Sequence, residues 1–234
     1  MHVTATRAPW WSRWREADGA TILHVDLTAD AEREARAVAL LDDAEQSRRR
    51  RFLAAHARRE FALCRAALRV VLAERLGCGN RQLSFGYLEH GKPFAMVDGR
   101  RADTGFNVSH SGRHGLIALA ERAEMGVDVE ERRPRKDLEG IGGLVFSPAE
   151  RQLLAAADRN RKQVFYRLWS LKEALIKAIG TGFSLAPTGI ELPAPVLRGA
   201  KSGEFRFQHS PAETWRLVDL GERRFAAALA YLAP

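Results

Sequence analysis

An α/β (α+β) fold in two halves of one plan is what this sequence predicts, and three observations carry the expectation. Strand-like runs stand before and after helical stretches, and the order strand, helix, strand is run through twice, with the seam near Glu121. A hydrophobic share of 46% over 234 residues is that of an ordinary globular chain, enough for one large domain or two small ones. Nothing is of low complexity, and the one loose stretch is LPAPVLRGAKSG (192–203). The halves are drawn at 1–121 and 122–234. They share no visible sequence identity, so the repeat is one of architecture.

In chain order, ATILHVDL (20–27) alternates enough for a first strand. A long helical stretch follows Asp42 and Asp43, with a break expected near residue 57. Its second part sets Phe61, Cys64, Leu68, Val71, Leu72 and Leu76 at a helical period and stops at Gly77. LSFGYL (83–88) is a short strand leading into the turn HGKP. FNVSHSG (106–112) reads as a polar loop. GLIALA (115–120) and GVDVE (126–130) follow as strands, and the spacer ERAEM is short enough to make them a hairpin. In SPAE (147–150), Ser147 is an N-cap, Pro148 the first helical residue and Glu150 the closing member of a capping box. A longer helix runs from about Arg161 to Ile179 and ends at Gly180. EFRFQ, WRLVDL and RFAAALAYL are three closing strands, with a turn at Gly221.

The net charge of +8 and pI near 10.1 call for an anionic partner: nucleic acid, a phosphorylated small molecule, an acidic protein or a membrane surface. Cys64 and Cys78 lack metal-ligand spacing and read as reduced thiols. The first residues carry charges and tryptophans where a signal peptide needs an apolar core. No apolar run approaches the roughly eighteen residues of a membrane span, so a cytoplasmic location is expected.

Four stretches could carry chemistry. In GVDVE, an extended backbone sends Val127 and Val129 one way and Asp128 and Glu130 the other. Two carboxylates so close repel unless they are solvated, protonated or neutralised by a cation. The segment is therefore either a solvated strand face or half of a divalent-metal site. In WSLKEALIKAIGTG, Val164, Leu168, Leu171, Leu175 and Ile179 form one buried stripe, and Trp169, Glu173 and Lys177 form a second at i, i+4, i+8. A Glu–Lys pair at this spacing is often a surface ion pair; a tryptophan completing the stripe needs something to cover it. FNVSHSG offers Asn107, Ser109, His110 and Ser111 as donors to phosphate oxygens, or to their own backbone. The run Arg48–Arg51, with Arg58 and Arg59, is a basic helical surface that suits a small polyanion or, without any nucleic-acid-binding signature beside it, solvent.

In this order and at these spacings, HGKP, FNVSHSG, GVDVE, FSPAE and WSLKEALIKAIGTG resemble the long, single-chain (surfactin-synthetase type) 4′-phosphopantetheinyl transferases, from about Asp42 to Pro187. The resemblance implies a pseudodimer in a single monomeric chain, each half a small, mainly antiparallel sheet packed against helices. The N-terminal half would contact the nucleotide and phosphates of coenzyme A, and the C-terminal half would hold metal and catalytic residues. It implies transfer of the phosphopantetheine arm of coenzyme A to a serine of an apo acyl or peptidyl carrier protein, with Mg²⁺ and with adenosine 3′,5′-bisphosphate as the other product. Neither nucleic acid nor membrane is an implied partner.

Carried over residue by residue, Asp128, Glu130 and Glu173 become the Mg²⁺ ligands, and Glu173 the acceptor of the serine proton. Lys172 and Lys177 would neutralise pyrophosphate oxygens, Lys177 as part of the catalytic set. Ser109 and His110 would hold phosphates, and the backbone of Gly91 and Lys92 would meet adenine. Arg48 and Arg59 are the candidates for further 3′-phosphate contacts. There the chain departs from the family pattern, with Glu45 where a basic residue is often found and Glu60 beside the expected arginine. Leu144, Val145 and Phe146 are expected either to form an apolar docking surface or, for Phe146, to pack beneath the helix that starts at Ser147. The rival readings are a non-enzymatic basic module that binds RNA or an acidic protein through Arg48–Arg51, and another magnesium-dependent nucleotide enzyme.

Overall fold

A computed structural model describes residues 8–121, 124–134, 137–180, 186–207 and 210–233. The expected boundary at 121/122 and the glycine-rich exit after Gly180 fall at or beyond the limits of the described residues. The first half holds β1 (Trp11–Ala17), β2 (Ala20–Asp26), α1 (Ala31–Leu40), α2 (Asp43–Arg51), α3 (Ala55–Leu76), β3 (Leu83–Tyr87), β4 (Pro93–Val97), β5 (Arg100–Arg101), β6 (Gly105–Ser111) and β7 (His114–Ala120). The second half holds β8 (Met125–Glu131), α4 (Leu138–Val145), α5 (Pro148–Ala156), α6 (Arg161–Ile179), α7 (Ala194–Leu197), β9 (Ser202–Phe207), β10 (Ser210–Asp219) and β11 (Phe225–Leu232). Two four-stranded sheets result, ordered β1-β2-β7-β6 and β8-β11-β10-β9, with β3-β4-β5 as a small third sheet. Every backbone-paired strand couple is antiparallel.

Alternation along the strands builds the layers. On β7, Ile117 and Leu119 enter a core with α3, while Leu116, Ala118 and Ala120 enter a second core against the other sheet. On β11, Ala226, Ala228 and Ala230 pack with α6, while Phe225, Ala227 and Leu229 face the first sheet. A sheet covered on both faces has no solvated side, which is why β7 is buried at every residue. Val127 and Val129 of β8 join the core between the sheets, which turns Asp128 and Glu130 toward α6.

Several helix boundaries follow the sequence closely. The capping box of Ser147 and Glu150 is present, and α6 ends at Gly180 in the left-handed conformation that glycine adopts without strain. The break expected near residue 57 lies at 52–54 instead; β1, α1, β4, β5 and α4 are additional to the expected elements, and α7 lies in the stretch expected to be loose. The expected hairpin of β7 and β8 does not form. Both edges of β7 are taken, by β2 and by β6, so β8 crosses to the other sheet and pairs with β11. FNVSHSG is a strand rather than a loop.

Phe146 is 0% exposed and packs edge-on against Phe165 at 5.3 Å, so it belongs to the core and not to a docking surface; Leu144 beside it is 75% exposed. Phe146→Asp should therefore cost at least the roughly 3–5 kcal/mol of deleting a buried phenyl ring, read as a lower midpoint in urea denaturation. An unchanged midpoint would return Phe146 to the surface.

Candidate active site at the seam

The two sheets meet edge to edge at β6 and β8, and side chains do the joining. Val127 N–H donates to Asn107 Oδ1 at 3.0 Å, Val129 N–H to Ser109 Oγ at 3.3 Å and Glu131 N–H to Ser111 Oγ at 3.3 Å. Each pair is 20 residues apart, so the strands run parallel. The period-two polar residues of FNVSHSG thus satisfy buried amide groups that a neighbouring strand would otherwise take.

On the other side of β8 lies α6, and the pitch of the two elements matches. Alternate residues of a strand are about 6.6 Å apart, and helical residues i and i+4 about 6 Å. Gly126 brings them close: a Cβ there would sit 2.2 Å from the Ala174 carbonyl oxygen. Lys177 then meets Asp128, with Nζ to Oδ1 at 2.7 Å, and Trp169 meets Glu130, with Nε1 donating to Oε1 at 3.0 Å. Glu173 stands between these two contacts on α6. Its proton affinity is raised, first by burial and then by the negative charge of Asp128, with Lys177 opposing.

Residues of the first half complete the arrangement. Ser109 Oγ donates to Asp128 Oδ1 at 2.8 Å and accepts from Lys177 Nζ at 2.9 Å, and Ser111 Oγ donates to Glu130 Oε2 at 2.9 Å. A cavity of about 270 Å³ opens above, lined by Gly91, Lys92, Asn107, Glu173 and Lys177 among others. A second, of about 190 Å³, shares Pro93, Asn107 and Val108 with it and is lined further by Arg48, Arg65 and His110. The shared residues make the two cavities neighbours in one groove, with Glu173 and Lys177 at one end and Arg48, Arg65 and His110 at the other.

Most of the expected site residues therefore converge. Gly91, with φ +82°, shapes the HGKP turn, while Lys92 Nζ bonds the Ala178 carbonyl at 2.9 Å and ties this turn to the end of α6. Burial pulls the Lys92 ammonium down to about 8. Arg48 borders the second cavity and bonds Tyr87 Oη at 2.9 Å; His110 lies 3.3 Å from Glu60. Two expectations are corrected. Lys172 is 2% exposed and turned into the second half, where Nζ bonds Glu150 and, at 2.6 Å, the Ile190 carbonyl, so it does not face the groove. Arg59 gives its Nε to the Leu27 carbonyl and lines neither cavity. Glu45 is buried as the capping partner of Asp42 and the ion-pair partner of Arg69, which accounts for an acid at that position.

Arg65 was missed. Its guanidinium lies 4.2 Å over the Phe85 ring with Nε 3.6 Å from Glu45 Oε1, and its buried Nη1 has no hydrogen-bond partner. The signal was available: Arg65 sits one turn after Phe61 on the apolar side of a helix, where a cation needs a partner.

No group of three or more His, Cys, Asp or Glu side chains among the described residues is gathered as a metal cage. The oxygen donors nevertheless suit a hard divalent cation. Asp128 is 3% exposed, and its buried Oδ2 has no hydrogen-bond partner, while Glu173 feels its charge.

The chain belongs to the 4′-phosphopantetheinyl transferase superfamily. The family model of that description matches residues 124–230, and one described as 4′-phosphopantetheinyl transferase, N-terminal, matches 29–122. Among its relatives, HetI of Nostoc sp., a 4′-phosphopantetheinyl transferase, is 35% identical over 185 residues, 78% of this chain and 74% of HetI. The 4′-phosphopantetheinyl transferase Sfp of Bacillus subtilis is 30% identical over 164 residues, 70% of each chain. A putative 4′-phosphopantetheinyl transferase of Synechocystis sp., slr0495, is 40% identical over 147 residues, 62% of this chain and 59% of slr0495. No helix among the described residues is long and apolar enough to cross a membrane.

Proposed function

We propose that this protein moves the 4′-phosphopantetheine arm of coenzyme A to a serine hydroxyl of an apo acyl or peptidyl carrier protein, in a Mg²⁺-dependent reaction that releases adenosine 3′,5′-bisphosphate. The observation that carries the reading is Glu173, a half-buried carboxylate of raised proton affinity beside the Asp128–Lys177 pair, at one end of a groove whose other end is basic.

The serine oxygen attacks the phosphorus that bears the pantetheine. The new bond is oxygen to phosphorus, and the bond that breaks is the anhydride to the nucleotide phosphate. Glu173, beside Asp128 and Lys177, takes the serine proton. Lys177 and Ser109, bonded to each other and to Asp128, supply charge and a hydroxyl at the pyrophosphate. Arg48, Arg65 and His110 receive the 3′-phosphate at the basic end, and the Gly91–Lys92 backbone borders the base. Asp128, Glu130 and Glu173 would hold the cation, which when bound neutralises developing charge on the pyrophosphate.

The test is an incubation of apo carrier protein with coenzyme A and Mg²⁺, followed by intact mass. A gain equal to the phosphopantetheine arm on the carrier is expected, and no gain with several carriers would sink the reading. Arg65→Ala and His110→Ala should each weaken coenzyme A binding by roughly 1.5–3 kcal/mol, the worth of a charge-assisted hydrogen bond. Both variants should also discriminate less against dephospho-coenzyme A than the wild type. Undiminished discrimination would move the 3′-phosphate elsewhere.

A further inference from the structure

The second half holds a basic cavity that the proposed reaction leaves unused. It measures about 210 Å³ and is lined by Arg132, Gln163, Arg167, Gly199, Lys201 and Asp219 among others. None of its lining residues borders the groove at the seam. Among the described residues that line it, three carry a positive charge and one, Asp219 of β10, a negative charge. Arg132 follows β8 directly, Arg167 lies on α6 and Lys201 precedes β9.

These charges are unequally committed. Arg167 belongs to the framework: its Nε donates to Asp219 Oδ2 at 2.8 Å, and Nη1 and Nη2 donate to the Val196 and Ala200 carbonyls, each at 2.9 Å. Asp219 Oδ2 also accepts from Lys201 Nζ at 3.3 Å, and Oδ1 accepts from the Gly221 N–H at 2.9 Å. The Lys201 side chain nevertheless stays 73% exposed. Arg132 is the least satisfied. Its hydrogen bond among the described residues runs from Nη1 to the Glu222 carbonyl, and its buried Nε has no partner. Burial disfavours its charged form, and Asp219 offsets that only in part.

One carboxylate does not balance three cations, and buried donors of a charged group are ordinarily matched by an acceptor. The cations also come from three separate segments. A compact oxyanion with acceptors on every side can meet them together, whereas a flat carboxylate would be taken up by a single guanidinium. We infer that this cavity is an anion site apart from the groove, which takes a small phosphate-like oxyanion with Arg132 and Lys201 as donors and Arg167 as a fixed charge behind them.

Inorganic phosphate is the probe. It is to be titrated into the protein at constant pH and ionic strength, with the ¹⁵N–¹H signals of the Arg132 side chain and of the Gly199 and Gly221 amides as the readout. A saturable shift of these signals is expected. Arg132→Gln should weaken the affinity read on the two glycine amides by about 10–100-fold, the effect of losing a charge-assisted hydrogen bond. Lys201→Gln, a change at an exposed side chain, should weaken it by about two- to fivefold, and it decides the matter if Arg132→Gln does not fold. Arg65→Ala, in the groove, should leave the titration as it is. A titration that does not saturate, or one that is the same in wild type, Arg132→Gln and Lys201→Gln, would overturn the inference. So would a loss in Arg65→Ala alone, which would put the phosphate in the groove. No transfer is measured, so a failure of the transferase reading would leave this result standing.

Discussion

Glu173→Gln should slow transfer by orders of magnitude and, in the metal-free protein at neutral pH, raise the melting temperature. Loss of a general base is typically worth about 10²–10⁴-fold in rate, and glutamine keeps the size of the side chain, so little repacking accompanies it. The stability gain follows from the direction in which Glu173 is shifted. Burial and Asp128 both hold its proton more tightly than the ordinary carboxylate value of 4.5. The folded protein therefore binds more protons than the unfolded chain, and stability falls as pH rises from that value through the raised one. Below 4.5 the two states are alike in charge at this residue. Above the raised value the folded state carries the full cost of an ionised, half-buried carboxylate beside another. Melting curves of both proteins between pH 4 and 8 should thus start close together and separate as pH rises, with the glutamine variant the more stable. A gap that is constant with pH, or a variant that melts lower throughout, would mean that the charge of Glu173 is not opposed in the folded state.

Much of the geometry of the candidate site was legible because it obeys local periods. The stripe Trp169–Glu173–Lys177 and the alternation of GVDVE each follow from one element's geometry, and the matched pitch of helix and strand brings the two together. The expected span of α6 is correct because an apolar period ended by a glycine is a strong local signal. What failed was non-local. The spacer between β7 and β8 suits a hairpin, but nothing within it reveals that β2 and β6 already occupy the edges of β7. The polar residues of FNVSHSG suit a loop that bonds its own backbone or a phosphate, whereas three of them at period two serve the amides of β8. Arg59 and Arg65 are six positions apart on one helix, and charge alone did not choose which would reach the cavity. Lys172 was the hardest. It neighbours Glu173 in sequence, yet α6 is packed around most of its circumference, and a shift of one residue is enough to turn a side chain from the groove into the interior.

Lys172 accordingly supports a prediction about stability rather than catalysis. Lys172 and Glu150 are 2% and 0% exposed, and the Glu150 oxygens also accept from the Ser147 and Leu192 amides, each at 2.9 Å. This one pair joins the cap of α5, the middle of α6 and the segment that leads to α7. Burial pulls the Lys172 ammonium toward its neutral form, and Glu150 works against that. Lys172→Met keeps a long apolar stem but strands a carboxylate in the core, which should cost about 3–5 kcal/mol, seen as a lower urea midpoint. Adding Glu150→Gln removes the stranded charge while its amide can still serve the cap, so the double variant should recover a good part of that loss. Coenzyme A affinity of the double variant, measured where it is fully folded, should equal that of the wild type, because neither group faces the groove. If the double variant regains stability yet binds coenzyme A as poorly as Lys177→Ala, the ammonium of Lys172 reaches the phosphates after all, and its placement in the core would have to be given up.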